Sequence, residues 1–276
     1  MAISLDLKQL LSIQPIDLPV FHPVALDLMR IVSDPYSDIE DIIRVINKDQ
    51  ALSTHVLKMA NSSAYMGLIK TETIKDSVVR LGVRQVTSLA VASSQASLYK
   101  SDNIIVNEIM RELWQHSLVC ALGCWWVARH TGHQSIIDHA YLAGLLHDIG
   151  KLYLLKAMER IIQNNEMQIV IERDLMLDIF AEMHVEQGCR IMEYWNISPI
   201  YRSVVANHHA EHYDHVDSPL SIVRLVNRIS KKASPSLVNE PEETADDILE
   251  CHLLDMDESQ FKKLKAAMKR FHEISM

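Results

Sequence analysis

Turn-forming residues are scarce in this chain: its 276 residues include only 7 glycines and 8 prolines. A sheet-rich fold needs many tight reversals, so their scarcity argues for long helices joined by short loops. Cysteine is scarcer still, at 4 residues. That is too few for a disulfide framework, and the placement of Cys120 and Cys124 on one helical face, far from Cys189 and Cys251, suits free thiols in a reducing cytoplasm. Basic charge is in deficit. With 27 Lys and Arg against 36 Asp and Glu the net charge is −9, which repels polyanions and argues against nucleic acid as a partner. Long apolar runs are missing as well. The longest, residues 117–128, is too short to cross a bilayer, and the opening MAISLDLKQLL has no apolar core of a secretory signal, so neither a membrane partner nor export is expected.

What is present is a hydrophobic content of 48%, rich in Leu, Ile, Met and Ala, enough to bury a large core. All-α is the expected class. Apolar residues recur at helical spacing over 23–32, 39–46 and 52–60, with Asp34-Pro35 breaking the first pair. The run from Ala60 to Gly67 has the small and capping residues of a tight helix exit. A helix over 73–81 ends at Gly82, and a long one follows over 83–98, with Ala and Ser allowing close helix approach. Near the end, SPSLVNEPEE at 234–243 reads as a polar loop, followed by helices over 244–256 and 258–271. The last places Phe261, Leu264, Met268 and Phe271 on one face among lysines. Such a helix can bind a membrane or a partner, but its simpler role is to cover the body with that stripe.

Chemistry concentrates in the second half. In AYLAGLLHDIGK, residues 140–151, a buried run leads into His147-Asp148, and Gly150 is expected to end the helix. Imidazole nitrogen beside carboxylate oxygen suits a borderline or hard divalent ion, although a lone His-Asp pair also serves as a structural cap. Glu112 and His116 share a face of the helix over 103–130, by their i, i+4 spacing. His184 is expected to open a helix, and the helix over 198–210 ends in the adjacent pair His208-His209. Other candidates have blander readings. Cys120 and Cys124 sit among Leu118, Val119, Ala121 and Trp125, where cysteine packs as a small hydrophobe rather than as a thiolate ligand. His22 and His55 lack partners at ligand spacing and are assigned to caps or surface, and His212 and His215, among Glu211, Asp214 and Asp217, to a solvated loop.

Several segments together carry a family resemblance. DQALSTHVLKMANSSAYMG, TIKDSVVRLGVRQVTSLAV, WQHS at 114–117, AGLLHDIGK at 143–151, HVEQGCRIMEYWNISP at 184–199 and NHH at 207–209 occur in order across residues 14–212. This pattern resembles the HDOD family, the HD-related output domains of bacterial signalling proteins. The resemblance implies a multi-helix HD-superfamily bundle, with an N-terminal helical half at 14–100, an HD-like half at 101–212 and a helical extension at 213–276 packing on the body. It further implies one or two divalent ions (Fe, Mn, Zn or Ni) on the ligand order H, HD, H, HH, D. Carried onto this chain, the ligands are His116, His147, Asp148, His184, His208 and His209, with Glu112 as the extra carboxylate of the dinuclear HD-GYP branch and Asn227 where the last Asp would fall. Asp148 would bridge with both oxygens, and Lys151, in an HDxxK pattern, would hold a phosphate oxygen, making these two the expected catalytic pair. The Gly-Tyr-Pro motif of the HD-GYP branch is missing from AEHYDHVDSP, so cyclic di-GMP hydrolysis is not implied. Two functions are therefore expected: a signalling or output protein that contacts other signalling proteins, or a metal-dependent phosphohydrolase acting on a nucleotide or other phosphoester.

Overall fold

The computed structural model describes residues 3–17, 20–33, 36, 38–61, 70–233 and 248–275, and among them every regular element is helical. The expected helix exit at 62–67, the Asp34-Pro35 break, the loop at 234–243 and the first residues of the helix expected at 244–256 lie outside this described set. The chain divides into two compact units, residues 19–100 and residues 1–18 with 101–276. The first helix, α1 (Leu5–Ile13), belongs to the latter and was not anticipated by the hydrophobic pattern.

The smaller unit holds α2 (Pro23–Ser33), α3 (Ile39–Asn47), α4 (Gln50–Ala60), α5 (Ile74–Leu81) and α6 (Val83–Ala96). Its helix starts are written locally. Asp38 with Asp41 and Thr73 with Asp76 form reciprocal capping boxes, each satisfying two otherwise orphaned backbone N–H groups. Gly82, at φ 85°, ends α5 and begins α6, a conformation that a side chain would strain. The small residues Ala90, Ala92 and Ser94 of α6 are buried. His22 accepts a hydrogen bond from the Val24 N–H at 3.3 Å as α2 opens, and His55 is exposed; neither joins a ligand cluster.

The larger unit is organised on α7 (Ile104–His130), whose start is capped by Asn103, the side chain accepting from the Val106 N–H at 3.1 Å. Beyond it come α8 (Ile137–Leu146), α9 (Ile149–Gln163), α10 (Arg173–Tyr194), α11 (Pro199–Asn207), α12 (Ser218–Ala233), α13 (Leu249–Leu253) and α14 (Glu258–Ser275). Two glycines set how closely the site-bearing helices approach. A methyl carbon on Gly144 would lie 2.8 Å from the Cys120 carbonyl oxygen of α7. One on Gly150 would overlap the carbonyl oxygen of His184 in α10. Gly150 therefore does not end a helix: α8 stops at Leu146, and Gly150 lies in the first turn of α9 because only hydrogen fits against α10 there. Residues at the end of α1 are tied down by Tyr153, whose hydroxyl donates to the Gln14 carbonyl at 2.9 Å, and by Arg190, which donates to the Ser12 carbonyl at 2.7 Å. The helix α14 buries Phe261, Leu264 and Met268, and the close fit of Met268 over Gly123 places that stripe against α7. Among the described residues no helix is long and apolar enough to cross a membrane.

Candidate metal centre

The break between α8 and α9 puts His147 and Asp148 at a helix junction in the interior, with both side chains fully buried. Asp148 stands between two pairs of imidazoles. Its Oδ2 lies 3.5 Å from His116 Nε2 and 3.4 Å from His147 Nε2. Its Oδ1 lies 3.6 Å from His184 Nε2 and 3.4 Å from His208 Nε2, and has no geometrically sound hydrogen bond. Each of three rings commits its Nδ1–H to a carbonyl of its own helical turn: His147 to Gly144 at 2.8 Å, His184 to Phe180 at 2.5 Å and His208 to Val205 at 3.0 Å. That choice leaves Nε2 with its lone pair directed inward, the usual backing for a ligating histidine. His116 is steadied differently, with Ser230 Oγ of α12 3.2 Å from its Nδ1.

Within each pair the Nε2 atoms face one another, 3.3 Å apart for His116 and His147 and 3.4 Å for His184 and His208. Two lone pairs at that distance repel unless a cation or a proton lies between them. Two nitrogens bound to one tetrahedral ion at about 2.0–2.1 Å are themselves roughly 3.3–3.4 Å apart, so both pairs fit a divalent ion without rearrangement. The protonation states agree. Burial depresses the His184 imidazole from 6.5 to about 4, against the opposing pull of Asp148, and also lowers His208. Burial would raise the Asp148 carboxyl, but the Lys151 ammonium, 2.6 Å from Oδ2, and then His147 outweigh it and hold the group well below the ordinary carboxylate range. The neutral imidazoles of His184 and His208 beside an ionised carboxylate are the state in which such groups bind metal.

Not every expected ligand arrives. His209 is exposed, yet its ring lies 4.1 Å from that of His208 and 5.3 Å from that of His184, and it groups with Asp148, His184 and His208 at ligand distance. Glu112 does not join either ligand group. It forms a two-point ion pair with Arg173 at the surface, Nη2 to Oε2 2.5 Å and Nη1 to Oε1 3.1 Å, because α10 begins well before His184 and offers an arginine there. For the same reason His184 does not open a helix but sits deep within α10. Asn227 is buried on α12, three residues before Ser230, and its Oδ1 lacks a hydrogen-bond partner. Lys151 pairs with Asp148 itself. His212 and His215 are exposed. Sequence reasoning assigned Cys120 to core packing over a thiolate site; its Sγ lies 3.6 Å from His116 Nε2 and groups with His116 and His147. Its i, i+4 spacing from His116 was the available signal, masked by apolar neighbours that also fit core packing. Cys124 does pack as core, against Gly144.

The family pattern of the HDOD domain matches residues 18–211, and the chain belongs to the HDOD domain family. Among solved structures, a candidate metal-dependent phosphohydrolase from Shewanella amazonensis SB2B superposes with a TM-score of 0.71 at 23% identity, covering 97% of this chain and 96% of the other. An HDOD domain protein with unknown function from Geobacter sulfurreducens follows at 0.69 and 18% identity, with 96% of each chain covered. At these identities the likeness is one of fold. An uncharacterized protein of Treponema pallidum (strain Nichols) is 26% identical over 74% of this chain and 40% of its own length. The cyclic di-GMP phosphodiesterase CdgJ of Vibrio cholerae is 29% identical over 45% of this chain and 27% of its own. The chain thus spans well under half the length of these curated relatives.

Proposed function

We propose that this chain is an HDOD signalling or output protein that keeps a divalent-metal centre. His116, His147 and Asp148 Oδ2 would hold one ion, and His184, His208 and Asp148 Oδ1, with His209 adjoining, a second. The observation that carries the reading is the inward convergence of four Nε2 nitrogens, two on each oxygen of a buried carboxylate. A bound divalent ion would supply Lewis acidity toward a phosphoryl oxygen. The chain's own residues do the rest: helical carbonyls fix the rings, buried neighbours exclude water, and Lys151 neutralises Asp148 or, turned outward, offers an ammonium to an anionic ligand. Signalling would then run through contacts with other signalling proteins. A second reading, turnover of a nucleotide or other phosphoester, is favoured by that ammonium beside the centre.

Elemental analysis of protein purified without chelator tests the metal reading. Wild type and Glu112→Ala are expected to carry metal alike, and Asp148→Asn to lose it. Less than roughly a tenth of an equivalent of any transition metal in wild type, even after reconstitution, overturns it. A phosphoester screen with Mn, Fe or Ni against a His147→Ala control then separates the two readings: turnover in wild type alone selects the hydrolase, and none selects the signalling module.

A further inference from the structure

We propose that Cys120 is a thiolate ligand of the ion held by His116 and His147, taking over the charge that Asn227 cannot supply. The inference rests on the metal reading above and goes beyond it by naming a donor and a metal preference. Cys120 is fully buried one helical turn after His116 on α7, so the two side chains share a face. Its Sγ is 3.6 Å from His116 Nε2. A sulfur at about 2.3 Å and a nitrogen at about 2.05 Å on one tetrahedral ion would be roughly 3.5–3.6 Å apart, so the separation already matches a shared ion. His147 belongs to the same ligand group, whose donors all lie within 4.8 Å of one another, and its Nε2 is 3.3 Å from that of His116. Sulfur and two nitrogens make a three-donor group, whose nitrogens lie 3.5 and 3.4 Å from Asp148 Oδ2.

Charge supports the same assignment. Asp148 is the one carboxylate within these two ligand groups among the described residues, and both imidazole pairs draw on it. Asn227, buried with an unpartnered amide oxygen, adds a neutral donor at most. A thiolate brings the second negative charge. On binding, the S–H bond breaks, its proton passes to solvent and the sulfur lone pair bonds the cation. Sulfur ligation favours Zn, Co and Fe(II) over Mn and Mg. Cys124, one turn further on, is spent on packing against Gly144 and plays no part.

Reconstitution of the full chain with Co(II), with loading measured by elemental analysis, provides the test. Wild type and Cys124→Ala are expected to show the near-ultraviolet sulfur-to-cobalt charge-transfer band in proportion to bound cobalt, and Cys120→Ser to lose it. Competition titrations should show Cys120→Ser weakened toward Zn by on the order of 10–100-fold, with Mn affinity little changed. Should Cys120→Ser not fold, the band in wild type and its survival in Cys124→Ala, Cys189→Ala and Cys251→Ala assign the sulfur by elimination. Stoichiometric cobalt without the band overturns Cys120 as a ligand while leaving the metal centre intact. A band that survives in Cys120→Ser, or that disappears with one of the other cysteines, also overturns it. No cobalt uptake overturns both readings.

Discussion

Replacing Gly150 by alanine tests whether the approach of α9 to α10 sets the site. The added methyl would overlap the His184 carbonyl oxygen and lie 2.8 Å from the Gly188 nitrogen, where ordinary contact needs well over 3 Å. Both obstacles are backbone, so no rotamer change relieves them and the helices must part. Overpacking of this kind costs about 1–3 kcal/mol, and the backbone clash belongs at the upper end. Alanine's better helix propensity returns about 1 kcal/mol, leaving a net loss of about 2 kcal/mol. Because His184 is the residue pushed, its Nε2 should move away from His208 and Asp148, and metal affinity should fall with stability. Gly132→Ala is the control: unlike Gly150→Ala it forces a side chain onto positive φ, 81°, but it meets nothing within 4 Å and lies outside the ligand groups. It should lose about 1 kcal/mol and no metal. Urea unfolding of the metal-free proteins and Zn titration read both quantities. A Gly150→Ala protein with the wild-type urea midpoint refutes the close approach; one that is destabilised but binds Zn like wild type refutes the claim that this contact positions His184.

Two other predictions concern protonation and charge. His184 stays neutral in the folded metal-free protein down to about 4 but takes up a proton near 6.5 when unfolded, so unfolding gains protons in that window; stability is full above about 6.5 and falls as the pH drops toward 4, by at most about 1.4 kcal/mol per pH unit from this group, with His208 contributing in the same direction. Urea midpoints of chelator-treated protein between pH 7.5 and 4.5 should show this slope, flattened in His184→Gln, whereas a pH-independent wild-type midpoint rejects the assignment. Asn227→Asp should raise Mn and Zn affinity on the order of tenfold if the buried amide sits beside the ion, since a carboxylate there meets a cation across little water. A variant that melts lower and binds no tighter removes Asn227 from the centre, its new charge then being buried and unpaired.

What the sequence determined by itself was local. Scarcity of glycine and proline, apolar periodicity and capping residues such as Asn103, Thr73 and Asp38 concern neighbours a few positions apart, and they define an all-helical chain and most helix starts. The candidate donors His116, His147-Asp148, His184 and His208-His209 were legible for the same reason: each is a short signature within a helix or at a helix end. Where that locality failed, the boundaries slipped, as at His184, which lies deep in α10, and at α1, whose fixing contacts come from Tyr153 and Arg190 far along the chain. Tertiary structure alone decided which donors meet. Glu112 and Cys120 both stand one turn from His116, on opposite sides of it in sequence, and spacing ranks them equally. Arg173 draws Glu112 into an ion pair at the surface, while the close crossing at Gly144 encloses Cys120 beside the imidazoles. Helical spacing places a side chain on a face, but whether that face meets water, an arginine or a carboxylate depends on which helix packs there, and this is set by backbone approach between residues distant in sequence.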